Sequence, residues 1–258
     1  MNNYWITAML CLNWKNMVTH RASFYSLMLL MFVQNLIYFS LWIIVFSKIS
    51  SLNGWGLREV AFLFSAGALG YGLLFTIFGG LNQIGSMIES GELDIHLARP
   101  RPILLMLMLQ RLRSDSLGDA ITGLVMLAFF VRPPVEMLPL LAVLTLTAGI
   151  AYFSFRLFCH ALVFWGNPSE ASENMFIAFL ITSTNPQNGF APWVKFLLLS
   201  IFPAGYVGLL PVEILRHFSW TDMALQVAGS CGFLLFAVWM FHRGVRRYAS
   251  GSRMMSLK

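Results

Sequence analysis

The chain has 258 residues, of which 58% are hydrophobic and only 11% charged. Soluble domains carry about 25% charged residues, so this chain cannot cover a water-facing surface, and its composition assigns it to the integral membrane class. The formal net charge of +6 does not indicate nucleic-acid binding, because the basic residues sit at the ends of apolar runs, where membrane topology places them.

Several apolar stretches exceed the roughly 20 residues that a spanning helix needs. The alternating ten-residue pattern of an outer-membrane barrel is absent. The expected fold is therefore an all-α integral membrane protein with six transmembrane helices, in one domain over residues 1–258. Residues 1–21 come first. Trp5, Met9 and Leu12 recur at helical spacing, and Asn13, Lys15, Asn16, Thr19 and His20 supply a polar side. This predicts an amphipathic helix on the membrane surface, with a frayed extension of the first span as the alternative. No cleaved signal segment is expected.

The first span covers 22–46 and carries no formal charge. Gln34 and Asn35 interrupt it. Asn53-Gly54 in the following loop is a turn signal. The second span covers 60–88, and Ala68, Gly72, Thr76 and Gly80 fall every four residues along it. Such a strip of small side chains lets helix backbones approach closely, within a subunit or between subunits.

Residues 88–113 include a charged segment, with Glu89, Glu92, Asp94, His96, Arg99 and Arg101 closed by Pro100 and Pro102. It is either an ordinary solvated loop or a docking surface. Beyond it, the apolar run 103–131 begins with an amphipathic part, in which Arg111 and Asp115 are spaced to pair on a helix. The third span covers 114–131. The fourth, 137–163, contains Arg156, which either serves function or snorkels to the interface. It has no evident acidic partner. Glu170 and Glu173 suit the N-terminus of the next helix, and 174–184 is a short fifth span.

Residues 192–215 are apolar but interrupted by Pro203, Gly205, Gly208 and Pro211. Broken backbone at membrane depth needs protein or water to cover it, which predicts two short re-entrant helices. The sixth span covers 223–241, and residues 242–258 form a basic tail. With both termini and the 88–113 region on one side, that side holds 11 of the 17 basic residues and the other side holds five, leaving Arg156. The positive-inside rule puts the richer side in the cytoplasm.

The chain has no GxxxxGK[ST] loop for nucleotide phosphates, no HExxH and no GxSxG. Gly229-Ser230-Cys231-Gly232 is a weak match to an intramembrane serine motif, and no histidine sits deep enough in a neighbouring span to serve as its base. Cys11, Cys159 and Cys231 form no CxxC pair, so neither a disulfide framework nor a metal site is expected.

Three motifs in order resemble one family. Gly91 to Pro102 fits GxLDxxLxRPxP. Asn185-Pro186, Phe202-Pro203-Ala204 and Leu210-Pro211-Val212 fit a proline-rich late segment. Arg246 to Arg253 fits RRYxSGxR. The chain resembles permease subunits of type 2 ABC exporters, in the daunorubicin- and viologen-exporter-like branch. Asn185-Pro186-Gln187-Asn188 departs from that pattern, because the family tends to aromatic or apolar neighbours there.

The resemblance implies a permease in a bacterial cytoplasmic (inner) membrane. It implies two ABC ATPase subunits, a second permease that is identical or paralogous, and lipid around the assembly. No cofactor is expected on this chain, with ATP and Mg on the partner ATPase, and the chain is not expected to be an enzyme. It implies coupling to the ATPases through Glu92, Asp94, His96, Arg99 and Arg101, and a re-entrant gate at Pro203, Gly205 and Pro211. Gln34, Asn35 and Tyr38 are the expected substrate contacts, although Gln34 and Asn35 can equally bond neighbouring helices. The expected cargo is amphipathic or hydrophobic. An engine-free secondary transporter or membrane scaffold is the alternative.

Overall fold

A computed structural model describes residues 4–248. Residues 1–3 and 249–258, which include the second half of the tail motif, lie outside the described residues. The helices in chain order are α1 (Tyr4–Thr19), α2 (Arg21–Phe46), α3 (Leu57–Ile77), α4 (Ile84–Ser90), α5 (Leu93–Leu97), α6 (Ile103–Leu109), α7 (Asp115–Met126), α8 (Leu138–Ala161), α9 (Ser169–Thr184), α10 (Pro192–Ser200), α11 (Leu209–Arg216) and α12 (Trp220–Arg247). Among the described residues there is no strand, only an isolated bridge between Leu52 and Trp55. That bridge closes the expected turn. Asn53 and Gly54 both have positive φ, 50° and 88°, as a two-residue I′ turn requires.

Among the described residues, four stretches are long and apolar enough to cross a membrane: Arg21–Phe46, Leu57–Ile77, Val135–Trp165 and Trp220–Arg247. The pair Pro192–Ser200 and Pro203–Arg216 passes the same test together but bends by 84°. α9 has 16 residues, which reach about 24 Å at 1.5 Å per residue. α7 continues into a π-helical turn, Leu127–Val131.

α3 lies at the centre of the fold. A Cβ added at Gly72 would fall on the backbone of Ser116 and Ala120 in α7, and one at Gly70 on the backbone of Thr145 and Gly149 in α8. α3 is thus pressed between two neighbours by glycines on two faces. The small-residue strip is a seam within this chain, centred on Gly72 and Thr76. Ala68 is only half-buried, and Gly80 lies past the end of the helix, packed against Leu107.

The structure corrects several boundaries. The apolar run 60–88 is not one helix: α3 stops at Ile77, a 3₁₀ turn covers Gly79–Gln83, and α4 follows. Gly79 and Gly80 sit against the Arg111–Arg113 and Leu107–Gln110 stretches, where side chains would clash. The start of 103–131 is not amphipathic, since α6 buries Leu104 and Met106 to Leu109. Residues 111–113 are not helical, so the expected Arg111–Asp115 pair does not form. Arg113 pairs with Asp115 instead. α9 begins at Ser169 and not at residue 174, which leaves a three-residue link after Trp165. α12 runs to Arg247, so the tail begins as helix.

α1 and α2 are separate helices, broken at His20 (φ −93°, ψ 71°). α1 is tied down at two points. Arg101 stacks over the Trp5 ring at 5.1 Å, and the Asn13 amide donates to Leu109 O at 2.7 Å. Leu12 faces outward with Trp14, because the protein-facing stripe runs through Trp5, Met9, Asn13 and Met17.

Candidate functional site

A cavity of about 490 Å³ opens between α2, α3, α7, α8 and α9. Gln34, Asn35 and Tyr38 all line it, so the three sequence-derived candidates share one space. Tyr71, Tyr152, Asp119, Ser40 and Thr184 are its other polar groups. Asn35 donates to Asp119 Oδ1 at 2.6 Å. Asn35 therefore does bond a neighbouring helix, and in doing so it holds a buried carboxylate at the cavity wall. The Tyr152 hydroxyl is 3.0 Å from Ser183 Oγ. Tyr38 stacks obliquely on Phe64, 5.5 Å between ring centres. Apolar walls with a few fixed polar groups suit a small amphipathic guest. Asp119 was not singled out from the sequence, where it lies among the charges that open the third span.

Arg156 does not snorkel. It is 4% exposed, and its guanidinium forks onto Glu173 at 2.7 and 2.6 Å. Its Nε donates to Asn82 Oδ1 at 2.8 Å, and it stacks 4.6 Å over Phe176. The missing acidic partner is thus Glu173, which sits inside α9 because that helix starts early. A bidentate pair of this kind fixes orientation as well as contributing energy, so α9 is clamped to α8 and to the 3₁₀ turn after α3.

The broken late segment is held by side-chain amides. Gln187 donates to Thr182 O at 3.0 Å and Ala204 O at 3.1 Å. Gln226 on α12 donates to Tyr206 O at 2.7 Å and to Thr147 Oγ1 at 2.9 Å. These bonds satisfy carbonyls that interrupted helices leave open. Asn188 reaches Leu52 O and Asn53 O, both at 2.8 Å, and the buried Trp55 donates to Glu213 at 3.0 Å. Gln187 and Asn188, the residues that depart from the family pattern, are thus structural ties.

Pro203 opens the 3₁₀ turn Pro203–Tyr206, and Gly205 packs where a side chain would meet Leu199. Pro211 breaks nothing. It is the third residue of α11, in the first turn, where its missing N–H is no loss. Gly229 of the small-residue motif in the last span seats the Tyr206 ring, whereas a Cβ at Gly232 would meet nothing within 4 Å.

The charged segment is built around α5. Gly91, at φ 83°, ends α4 in the left-handed conformation that glycine tolerates. α5 then turns Leu93 fully inward and leaves Ile95 62% exposed. Glu92, Arg99 and Arg101 are exposed beside it, while His96 and Asp94 are half-buried. Burial and the nearby Arg99 hold the His96 imidazole below its usual range. Asp94 lies against Tyr248 at the end of α12; burial, with that carboxylate adding to it, raises the phenol. The sequence reading missed Ile95, whose exposure marks an apolar contact point among the charges.

The model of the ABC-2 family transporter proteins matches residues 29–252. The chain belongs to this family. It is accordingly a multi-pass ABC-2 permease, a membrane transport component that is not itself catalytic, of a family that associates with ABC ATPases. No curated protein and no solved structure matches the chain.

Proposed function

We propose that this ABC-2 permease is the membrane half of an ATP-driven exporter of the daunorubicin- and viologen-exporter-like branch, in a bacterial cytoplasmic membrane. Six spans cross the bilayer: α2, α3, α7 with its π turn, α8, α9 and α12. α7 and α9 are short and use their polar flanks to complete the crossing. α10 and α11 enter from the outer side and turn back, and the amide ties from Gln187 and Gln226 support that reading. Both termini face the cytoplasm. α1 lies on that surface.

Two ATPases dock on the α5 region, one on this chain and one on a second permease, identical or paralogous. ATP and Mg stay on the ATPases. The observation that carries this is α5 itself, a five-residue helix with two exposed apolar side chains, Ile95 and Leu97, framed by Glu92, Arg99 and Arg101. Closure of the ATPases pushes α5, and the push reaches α2, α3 and α9 through α4 and the Arg156–Glu173 clamp. The cavity holding Gln34, Asn35 and Tyr38 then opens outward between the two permeases. The cargo is an amphipathic or hydrophobic small molecule.

Copurification of the chain with ATPases of its host tests this. A stoichiometric ATPase is expected with the native chain and is expected to be lost with Ile95→Asp or Arg99→Ala. Asp94→Ala serves as a separate arm, since that side chain also faces Tyr248. An ATPase retained by every variant would move the docking site elsewhere, and no ATPase in any detergent would sink the exporter reading.

A further inference from the structure

A second cavity, about 730 Å³, lies where α1 meets α2. Three pieces of chain wall it: the α1–α2 corner with Asn16 and His20, the 3₁₀ turn with Asn82, and the α6–α7 link with Arg111 and Arg113. α2 begins, α3 ends and α7 begins at this level, so the cavity sits at the edge of the membrane. The cavity under Gln34 and Tyr38 starts one turn further along: Leu27 and Asp115 line the first, Met31 and Asp119 the second.

Its polar groups are unbalanced. Asp115 neutralises Arg113. Asn82 Oδ1 accepts from Arg156, which leaves Asn82 Nδ2 buried with no partner among the described residues. Arg111 is exposed and has no acidic partner among them. The remaining lining adds amides and hydroxyls that can both donate and accept, so its net excess is the unpartnered Asn82 Nδ2 and one uncompensated guanidinium. Met17, Phe24 and Leu27 give the same cavity an apolar side. A guest that satisfies both is an anion with an alkyl chain attached.

We propose that this cavity binds the phosphate headgroup of an anionic phospholipid, with Arg111 as the charged contact, Asn82 and Asn16 as amide donors, and the first acyl carbons against Phe24 and Leu27. Basic pockets between spans on the cytoplasmic side take such headgroups. The leaflet rests on the orientation proposed above; the binding chemistry does not. Because Trp5 and Asn13 tie α1 to Arg101 and Leu109, a bound lipid would fasten the surface helix and the coupling segment to the same patch of membrane.

Native mass spectrometry of the full chain in mild detergent tests the site, with phosphatidylglycerol, phosphatidylcholine of the same chain length, and inorganic phosphate as probes. Retention of phosphatidylglycerol but not phosphatidylcholine is expected. Arg111→Gln should weaken that retention about five-fold, the effect of one surface arginine, and Asn16→Ala should weaken it less. Arg58→Gln, the same charge change on an exposed residue at the other end of α3, should leave it unchanged. Equal retention by Arg111→Gln and the native chain, or of the two lipids, would overturn the proposal. Displacement by inorganic phosphate at matching concentration would overturn the lipid as its source. The readout needs neither ATPase nor transport, so its failure leaves the exporter reading standing.

Discussion

α2 and α3 are both long, apolar helices, yet only 6% of the most apolar window of α2 is buried within the chain against 67% for α3. The difference lies in side-chain size. α3 carries Gly67, Gly70 and Gly72 with Ala61, Ala66 and Ala68, so two other helices reach its backbone. α2 has no glycine, and its single alanine, Ala22, lies in its first turn. It touches the rest of the protein along one stripe, where Gly118 of α7 meets the backbone of Met28 and Phe32 and Asn35 bonds Asp119. In lipid no hydrophobic effect drives helices together, and close backbone approach takes its place. α3 is therefore a core helix, and α2 is a wall whose outer face the rest of the chain leaves uncovered, open to lipid or to the proposed second permease.

That contrast can be broken experimentally. Gly72→Leu should give the largest effect. The new side chain has only the α7 backbone to occupy, overpacking costs about 3 kcal/mol or more, and folded protein should fail to accumulate on size-exclusion chromatography. A chain that folds with this substitution would mean that the α3–α7 seam is not tight.

Glu173→Ala comes next. It removes the carboxylate from the buried Arg156, and thermal unfolding in detergent should show a loss of about 2 kcal/mol, less than for a fully buried pair because the Glu173 side chain is 44% exposed. Changing both Arg156 and Glu173 to methionine should recover part of that loss. Asn35→Ala removes the hydrogen bond to Asp119, with an expected cost of about 1–2 kcal/mol. Because both residues line the cavity, the same variant should also change substrate-stimulated ATPase activity.

The smallest effect is expected on the outer face of α2. Ile44→Ala and Leu30→Ala should shift the unfolding of the isolated chain by less than about 0.5 kcal/mol. If the second permease covers this face, the same variants will weaken permease–permease copurification. An equal loss of stability from Ile44→Ala and from a core substitution would erase the distinction between the two helices.

Much of the layout was legible locally. The four long apolar helices and the turn at Asn53-Gly54 follow from runs of apolar residues and from a backbone conformation that few residues adopt. The shared position of Gln34, Asn35 and Tyr38 was legible from their spacing on one helix. Pro211 misled, because a proline reads as a break until its place in the first turn of a helix is known. Arg156 misled for a different reason. Its partner is 17 residues away, across a link, on a helix whose start was misplaced, and no periodicity points from one to the other.

The sequence by itself determined the membrane class, the long spans, the charged segment between them and the membership signalled by its motifs, because each depends on residues that are neighbours along the chain. The tertiary structure decided which glycines are contacts, which carboxylate neutralises Arg156, where the amides of Gln187 and Gln226 go and that Asp119 faces a cavity. Those outcomes depend on how helices cross, and the crossing is set by backbone approach between segments 50 to 80 residues apart, such as Gly72 with Ala120 and Gly70 with Gly149.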